Sequence, residues 1–168
     1  MNIAQRQKIC DIGHLLVSHE PLVDYPTHDV RGPLDAATWA LSGAQMKARL
    51  AGGKHLTMDC SQGIACVYKW AGMKNPSGNI GWPGTTGTML QALKHYTDPT
   101  RARKAAIVIF GPGAGDHGCF VIADEGTSDP LLWSHGFNGG PILVRLSVER
   151  RFHRPPVTFL NVSGIGPA

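Results

Sequence analysis

Up to Pro99 the apolar residues of this 168-residue chain recur at helical spacing, and beyond it they come in short runs broken by Gly, Pro and Asp. Ile9, Ile12, Leu15 and Leu16 form one stripe over the first twenty residues, closed by Pro21. Asp35 can cap a second helix from Ala36 to about Leu50, which Gly52-Gly53 would end. A third stripe, Ile64, Val67, Tyr68 and Ala71, stops near Gly72, and Thr85 or Thr86 opens a short helix carrying Met89, Leu90 and Leu93. Ala105–Phe110, Cys119–Ala123, Leu131–Trp133, Ile142–Leu146 and Val157–Val162 then read as strands. Helices first and strands second predict an α+β domain, its N-terminal helices packed on an antiparallel sheet of about five strands.

The length suits one domain with a real core. Its helical half spans about 1–98 and its sheet half about 105–162. The tail Ser163-Gly-Ile-Gly-Pro-Ala168 reads as the start of a linker, and Pro21–Pro33, with three prolines, as a surface loop. The net charge of +4 suits a polyanionic partner, but the basic residues are scattered, with no aromatic-interleaved stripe of the nucleic-acid kind. Arg6, Lys8 and Asp11 interrupt what would be the apolar core of a secretory signal, and no run approaches transmembrane length. The reading is therefore a protein made in a cytoplasm, with neither nucleic acid nor membrane as partner.

Four cysteines, Cys10, Cys60, Cys66 and Cys119, are unevenly spaced with no C-x-x-C, which argues against a disulfide framework or structural zinc. Cys60 differs from the rest. It stands in Met58-Asp-Cys-Ser-Gln62, four residues before Ile64, at the mouth of a helix where unpaired N–H groups and the dipole favour a thiolate. It either packs as a small hydrophobe or acts as a nucleophile. A nucleophile needs a base and a group that orients the base. His117, where a loop feeds a strand beside Asp116, and His135, after the next strand, are 18 residues apart and could emerge at neighbouring points of one sheet edge. Each could equally be a turn or loop residue. His14, His19, His28, His55, His95 and His153 read as structural or exposed, Cys66 as buried and inert, and Cys119 as core. Gly111–Gly115 matches a phosphate loop in composition only.

Asp59-Cys60-Ser61 at a helix start, then Asp116-His117, then His135 after one further strand, resembles the NlpC-type cysteine peptidases. Asp59-Cys-Ser-Gln62, Tyr68-Lys-Trp-Ala-Gly72, Asn75-Pro-Ser-Gly78 and Trp133-Ser-His-Gly136 are, in that order, similar to the N-terminal peptidase modules of lysin A proteins from phages of mycobacteria and related actinobacteria. The resemblance spans about Asp59 to Leu146. It implies a papain-like fold and hydrolysis of a peptidoglycan stem-peptide amide, first of all the D-glutamyl–diaminopimelate bond. Cys60 would be nucleophile, His117 base and acid, and His135 the orienting residue, supported by Asp59, Ser61, Gln62 and Asp116. Neither metal nor cofactor is implied. The partner would be bacterial peptidoglycan, with further C-terminal wall-binding domains in a longer chain. The protein would be made in the host cytoplasm and reach the wall once the membrane opens. Two departures stand out: Gln62 replaces the family's usual glycine, and Leu50-Ala-Gly-Gly-Lys-His55 replaces its Tyr-x-Trp-Gly-Gly lead-in. A zinc hydrolase using histidines and Cys119, or a wall-binding or tail-associated module without activity, would carry some of the same features.

Overall fold

In the computed structural model, which describes residues 1–26, 33–136 and 139–168, the chain is a mixed α+β fold built on a six-stranded antiparallel sheet. Helix α1 (Ile3–Ser18) opens with an Asn2–Gln5 capping box. Two short helices, α2 (Pro33–Ala40) and α3 (Gly43–Ala51), replace the single helix expected from Ala36 to Leu50. The helix starts at Pro33, ahead of the expected cap at Asp35, and Ser42 restarts it through its own capping box with Gln45. Helix α4 (Cys60–Trp70) and helix α5 (Thr86–Ala92, capped by Thr85) fall where their stripes predict.

The segment expected as a surface loop from Pro21 is partly built into the fold. Val23–Asp24 (β1) pairs in parallel with Leu56–Thr57 (β2), and Val23 is buried. Residues 27–32 of that loop, His28 among them, lie outside the described residues.

The main sheet contains β3 (His95–Tyr96), β4 (Ile107–Phe110), β5 (His117–Ala123), β6 (Leu131–Ser134), β7 (Ile142–Arg145) and β8 (Val157–Leu160). Their order is β3-β8-β4-β5-β6-β7. The five expected strands are present. The sixth, β3, is a two-residue edge too short to show a period in sequence. A four-residue helix, α6 (Leu146–Glu149), follows β7 directly.

Alternation along the strands divides the core into two layers. Ile107, Ile109, Phe120, Ile122 and Trp133 face the helices, while Val108, Phe110, Cys119, Val121 and Leu132 form the opposite layer with Leu146 of α6. Two glycines let helices lie close on the sheet: a Cβ at Gly13 would come within 2.8 Å of Phe120 Cζ, and one at Gly63 within 2.8 Å of Trp133 Cη2. The tail Ser163–Ala168 is packed on the fold. Ile165 is buried, Met73 and Pro167 form a β-bridge, and the Ala168 N–H donates to the Gly72 carbonyl. No helix among the described residues is long and apolar enough to cross a membrane.

Candidate active site

The mouth of α4 is fixed by its own sequence. Asp59 is the N-cap: its Oδ1 accepts from the Gln62 N–H at 2.8 Å and from Ser61 Oγ at 2.8 Å. Gln62 returns the bond, Oε1 accepting the Asp59 N–H at 3.0 Å. Gln62 is thus the partner that closes a capping box, a role glycine could not fill. With the Gln62 N–H on the Asp59 carboxylate and the Gly63 N–H on the Asp59 carbonyl, the N–H groups of Cys60 and Ser61 have no partner among the described residues and lie at the positive end of the helix dipole.

Cys60, buried, sits at this mouth, close enough to His117 and to Tyr25 that it raises the pKa of both. Burial pushes the Tyr25 phenol up to about 12, and neighbouring Cys60 and Asp59 add to the effect. Tyr25 also packs edge-on against His135, ring centres 5.3 Å apart. Sequence reasoning passed over Tyr25 because it sits in a proline-rich stretch with no periodicity. The β1–β2 pairing carries the chain past the mouth of α4.

His117 opens β5. Its Nε2 lies 3.0 Å from Ser134 Oγ and 3.1 Å from Glu149 Oε1, and Ser134 Oγ donates to that same Oε1 at 2.6 Å. Burial by itself would push the imidazole down. Cys119, Cys60 and Glu149 beside it outweigh burial, and the net shift is well upward. Glu149 mirrors it. Burial would raise its carboxyl, but hydrogen bonds from His117, His153 and Ser134 carry it well below the usual carboxylate range.

Two further groups close around this pair. His153 stacks on His117 with ring centres 4.3 Å apart and planes 8° apart, and its Nε2 lies 3.4 Å from Glu149 Oε1. It was expected to be merely structural or exposed. Cys119 is fully buried as expected, and its thiol donates to Glu149 Oε1 at 3.7 Å.

The orienting contact expected of His135 is made by Glu149 instead. Cys119 pairs with Ser134, and continuing that antiparallel register sets Gly136 abreast of His117. A Cβ at Gly136 would accordingly lie 3.8 Å from His117 Cε1. His135, one residue off, has the opposite parity and turns to the helix side of the sheet. There it donates Nε2–H to the Met58 carbonyl at 2.8 Å. Burial pushes its pKa down, against hydrogen bonds to backbone carbonyls that raise it. His135 therefore ties the end of β6 to the chain two residues before Cys60. Asp116 points away from the site: its carboxylate holds both Nε and Nη2 of Arg154 at 2.9 Å, which lowers its pKa.

A cavity of about 580 Å³ opens on the Glu149 side of His117. Ile142, Val148 and Phe152 form an apolar wall and Glu20 supplies a carboxylate at its rim. Comparison with known proteins returns no match: no family model, no curated protein and no solved structure matches the chain.

Proposed function

We propose that this protein is a cysteine hydrolase of the NlpC type with a papain-like fold, acting on a stem-peptide amide of bacterial peptidoglycan as the peptidase module of a phage lysin. The reading rests on one observation: a cysteine at a helix mouth beside a histidine whose Nε2 is held by a buried carboxylate, which would leave Nδ1 for the thiol. That is the nucleophile, base and orienting group that acyl transfer requires. In this reading Glu149 takes the place first assigned to His135.

Cys60 Sγ attacks the carbonyl carbon while its proton resides on His117 Nδ1. The oxyanion is met by the Cys60 N–H at the end of α4. Collapse of the tetrahedral intermediate breaks the C–N bond, and His117 gives the proton to the leaving amine. Water, deprotonated by His117, then attacks the thioester, releasing a carboxylic acid and restoring the thiol. Asp59, Ser61 and Gln62 hold the helix mouth in place. The cavity beside His117 has the size and mixed lining of a peptide site. For the scissile bond, the resemblance noted in sequence favours D-glutamyl–diaminopimelate.

A second reading, a zinc hydrolase, draws on His117, Glu149 and His153, whose candidate ligand atoms lie within 4.8 Å of one another. The ring planes argue against it. A metal lies in the plane of each imidazole that binds it, and two stacked rings 8° from parallel offer no common point without rotation of one of them.

The test is digestion of purified actinobacterial peptidoglycan by wild type and by Cys60→Ala, with and without a chelator, and mass analysis of the fragments. Cleavage by wild type alone, insensitive to chelator, is the expected result, and the fragment masses name the bond. Cleavage by both proteins that stops with chelator would install the zinc reading. Binding without cleavage by either would make the chain a wall-binding module.

A further inference from the structure

A second pocket, of about 210 Å³, lies at the other end of the central strands from His117. His117 pairs with Phe110 at one end of β4, whereas this pocket sits beside Leu160, which pairs with Ile107 at the other. Three guanidiniums line it, from Arg6, Arg101 and Arg103, together with Tyr96, Asn161 and Ser163, and no carboxylate does.

The arginines converge from separate parts of the chain and two are held. Arg6 comes from α1 and uses one N–H on the Lys104 carbonyl at 2.8 Å, and the rest of its donor fork makes no hydrogen bond among the described residues. Arg101 lies over the Tyr96 ring, its guanidinium carbon 5.2 Å from the ring centre. Tyr96 is itself stacked on Phe159, ring centres 5.9 Å apart, so the platform is part of the core layer. Arg103 is exposed at the rim. All three cations act on the Tyr96 hydroxyl. Among the described residues none of the three makes an ion pair within 4 Å. Asp98, whose field reaches Arg101 and Tyr96, turns its carboxylate on to the N–H and hydroxyl of Thr100 at 3.0 and 2.7 Å. Asn161 accepts from Ser163 through its amide oxygen, which leaves its NH2 group to donate.

Like charges converge at a cost unless a counter-charge completes the set. A concave site lined by planar donor forks and lacking an acidic partner fits a tetrahedral oxyanion, which accepts several charge-assisted bonds at once. We propose that this pocket binds a phosphate or phosphodiester group, and that its natural source is a phosphodiester-bearing polymer of the bacterial wall. The site does not depend on Cys60 being a nucleophile; only the choice of wall polymer as the source rests on the function proposed above.

The test uses the full chain at fixed ionic strength, titrated calorimetrically with inorganic phosphate, with diethyl phosphate as a diester, and with acetate as a planar control. Saturable binding of phosphate and diester but not of acetate is expected. Arg101→Gln/Arg103→Gln should weaken it by about tenfold or more. Arg103→Gln alone, a change at an exposed rim position, should weaken it measurably and guards against misfolding of the double variant. Absence of saturable binding, or equal binding by the variants, would overturn the site, as would affinity for single-stranded oligonucleotides that grows with length and survives both changes. Binding of phosphate without the diester would overturn the polymer as source. A sedimentation arm uses Cys60→Ala protein, so that no cleavage is needed. Co-sedimentation with intact wall, lost after the wall's phosphodiesters are removed by hydrofluoric acid, supports the source, and equal co-sedimentation overturns it.

Discussion

Oε1 of Glu149 lies 3.1 Å from Nε2 of His117, inside the fold, with both side chains largely shielded from solvent. This contact, and not the one expected from His135, gives the imidazole its orientation. Glu149→Gln keeps the shape and removes the charge, so it should lower kcat by about 10²- to 10⁴-fold, the range for losing acid–base function or its orienting group. His135→Ala should behave differently. It orphans the Met58 carbonyl at a cost of about 1–3 kcal/mol in stability while leaving the Glu149–His117 pair in place. Comparing kcat and urea midpoints of the two variants separates the roles, and a larger kcat loss in His135→Ala would return the third catalytic position to His135.

The same pair sets a pH dependence. The Glu149 carboxyl is held below its ordinary value of 4.5, so its contribution to stability is complete above that value and is lost as pH falls toward the folded-state pKa. His117 is raised above its ordinary 6.5, so its contribution is complete below 6.5 and is lost only as pH rises through the raised value. Both are therefore in full between about 4.5 and 6.5, and the acid limb belongs to Glu149. Urea unfolding from pH 6 to pH 3 should show wild type losing more stability than Glu149→Gln. In activity, loss of the carboxylate lets the His117 pKa drop, moving the alkaline limb to lower pH. Parallel profiles for the two proteins would mean that the contact carries no charge.

Much of this architecture was legible because periodicity reports burial. The strand runs of β4, β5 and β6 and the stripe behind Cys60 are consequences of facing a core, and they fell where expected; β7 also fell where expected, though Ile142 and Leu143 are exposed. Glu149 was not legible. It sits in Leu146-Ser-Val-Glu-Arg-Arg151, a charged stretch that reads as surface, and only the return of the chain after β7 brings it under β5. Tyr25 was hidden in the same way, since it sits between Asp24 and Pro26 in a stretch without periodicity and its partner is a helix mouth from another part of the chain. His135 was misread by one residue of register. Spacing to His117 was adequate, but alternation sends residue 134 to the Glu149 side and residue 135 to the helix side.

Thiol chemistry offers a test that needs no substrate. Burial pushes Cys10 up to about 11 and raises Cys119 as well, and Cys66 is buried within α4, whereas Cys60 stands at the N-terminal end of that helix beside His117. Brief treatment of the native protein with iodoacetamide at pH 7 should modify Cys60 alone, and denaturant should open all four to alkylation. Peptide mapping reads the result directly. First modification at Cys10 or Cys119 would show that Cys60 is not the activated thiol.

The helix mouth also has a capping test. Asp59→Ala removes the acceptor for the Gln62 N–H and for the Ser61 hydroxyl and should cost about 1 kcal/mol, within the range for N-cap losses. Asp59→Asn keeps an oxygen there and should recover most of that loss. Because the Cys60 N–H is aimed by this turn, kcat should fall further in the alanine variant than in the asparagine one. Equal kcat in both would detach the oxyanion site from the cap.

Gly63 couples the helix mouth to the sheet, and two opposing effects decide what alanine does there. In a helix interior, alanine gains about 1 kcal/mol over glycine. Here the new Cβ would come within 2.8 Å of Trp133 Cη2 and 3.4 Å of Met58 Sδ. The indole cannot easily yield, since it stacks on Phe120 with ring centres 5.0 Å apart and is fully buried. Overpacking of this kind costs about 1–3 kcal/mol. The clash should win, lowering the urea midpoint and moving α4 off the sheet by enough to separate Cys60 from His117. A drop in kcat larger than the stability loss explains, measured well below the unfolding transition, is the expected signature. A rise in stability would mean that α4 sits farther from Trp133 than the close approach at Gly63 implies.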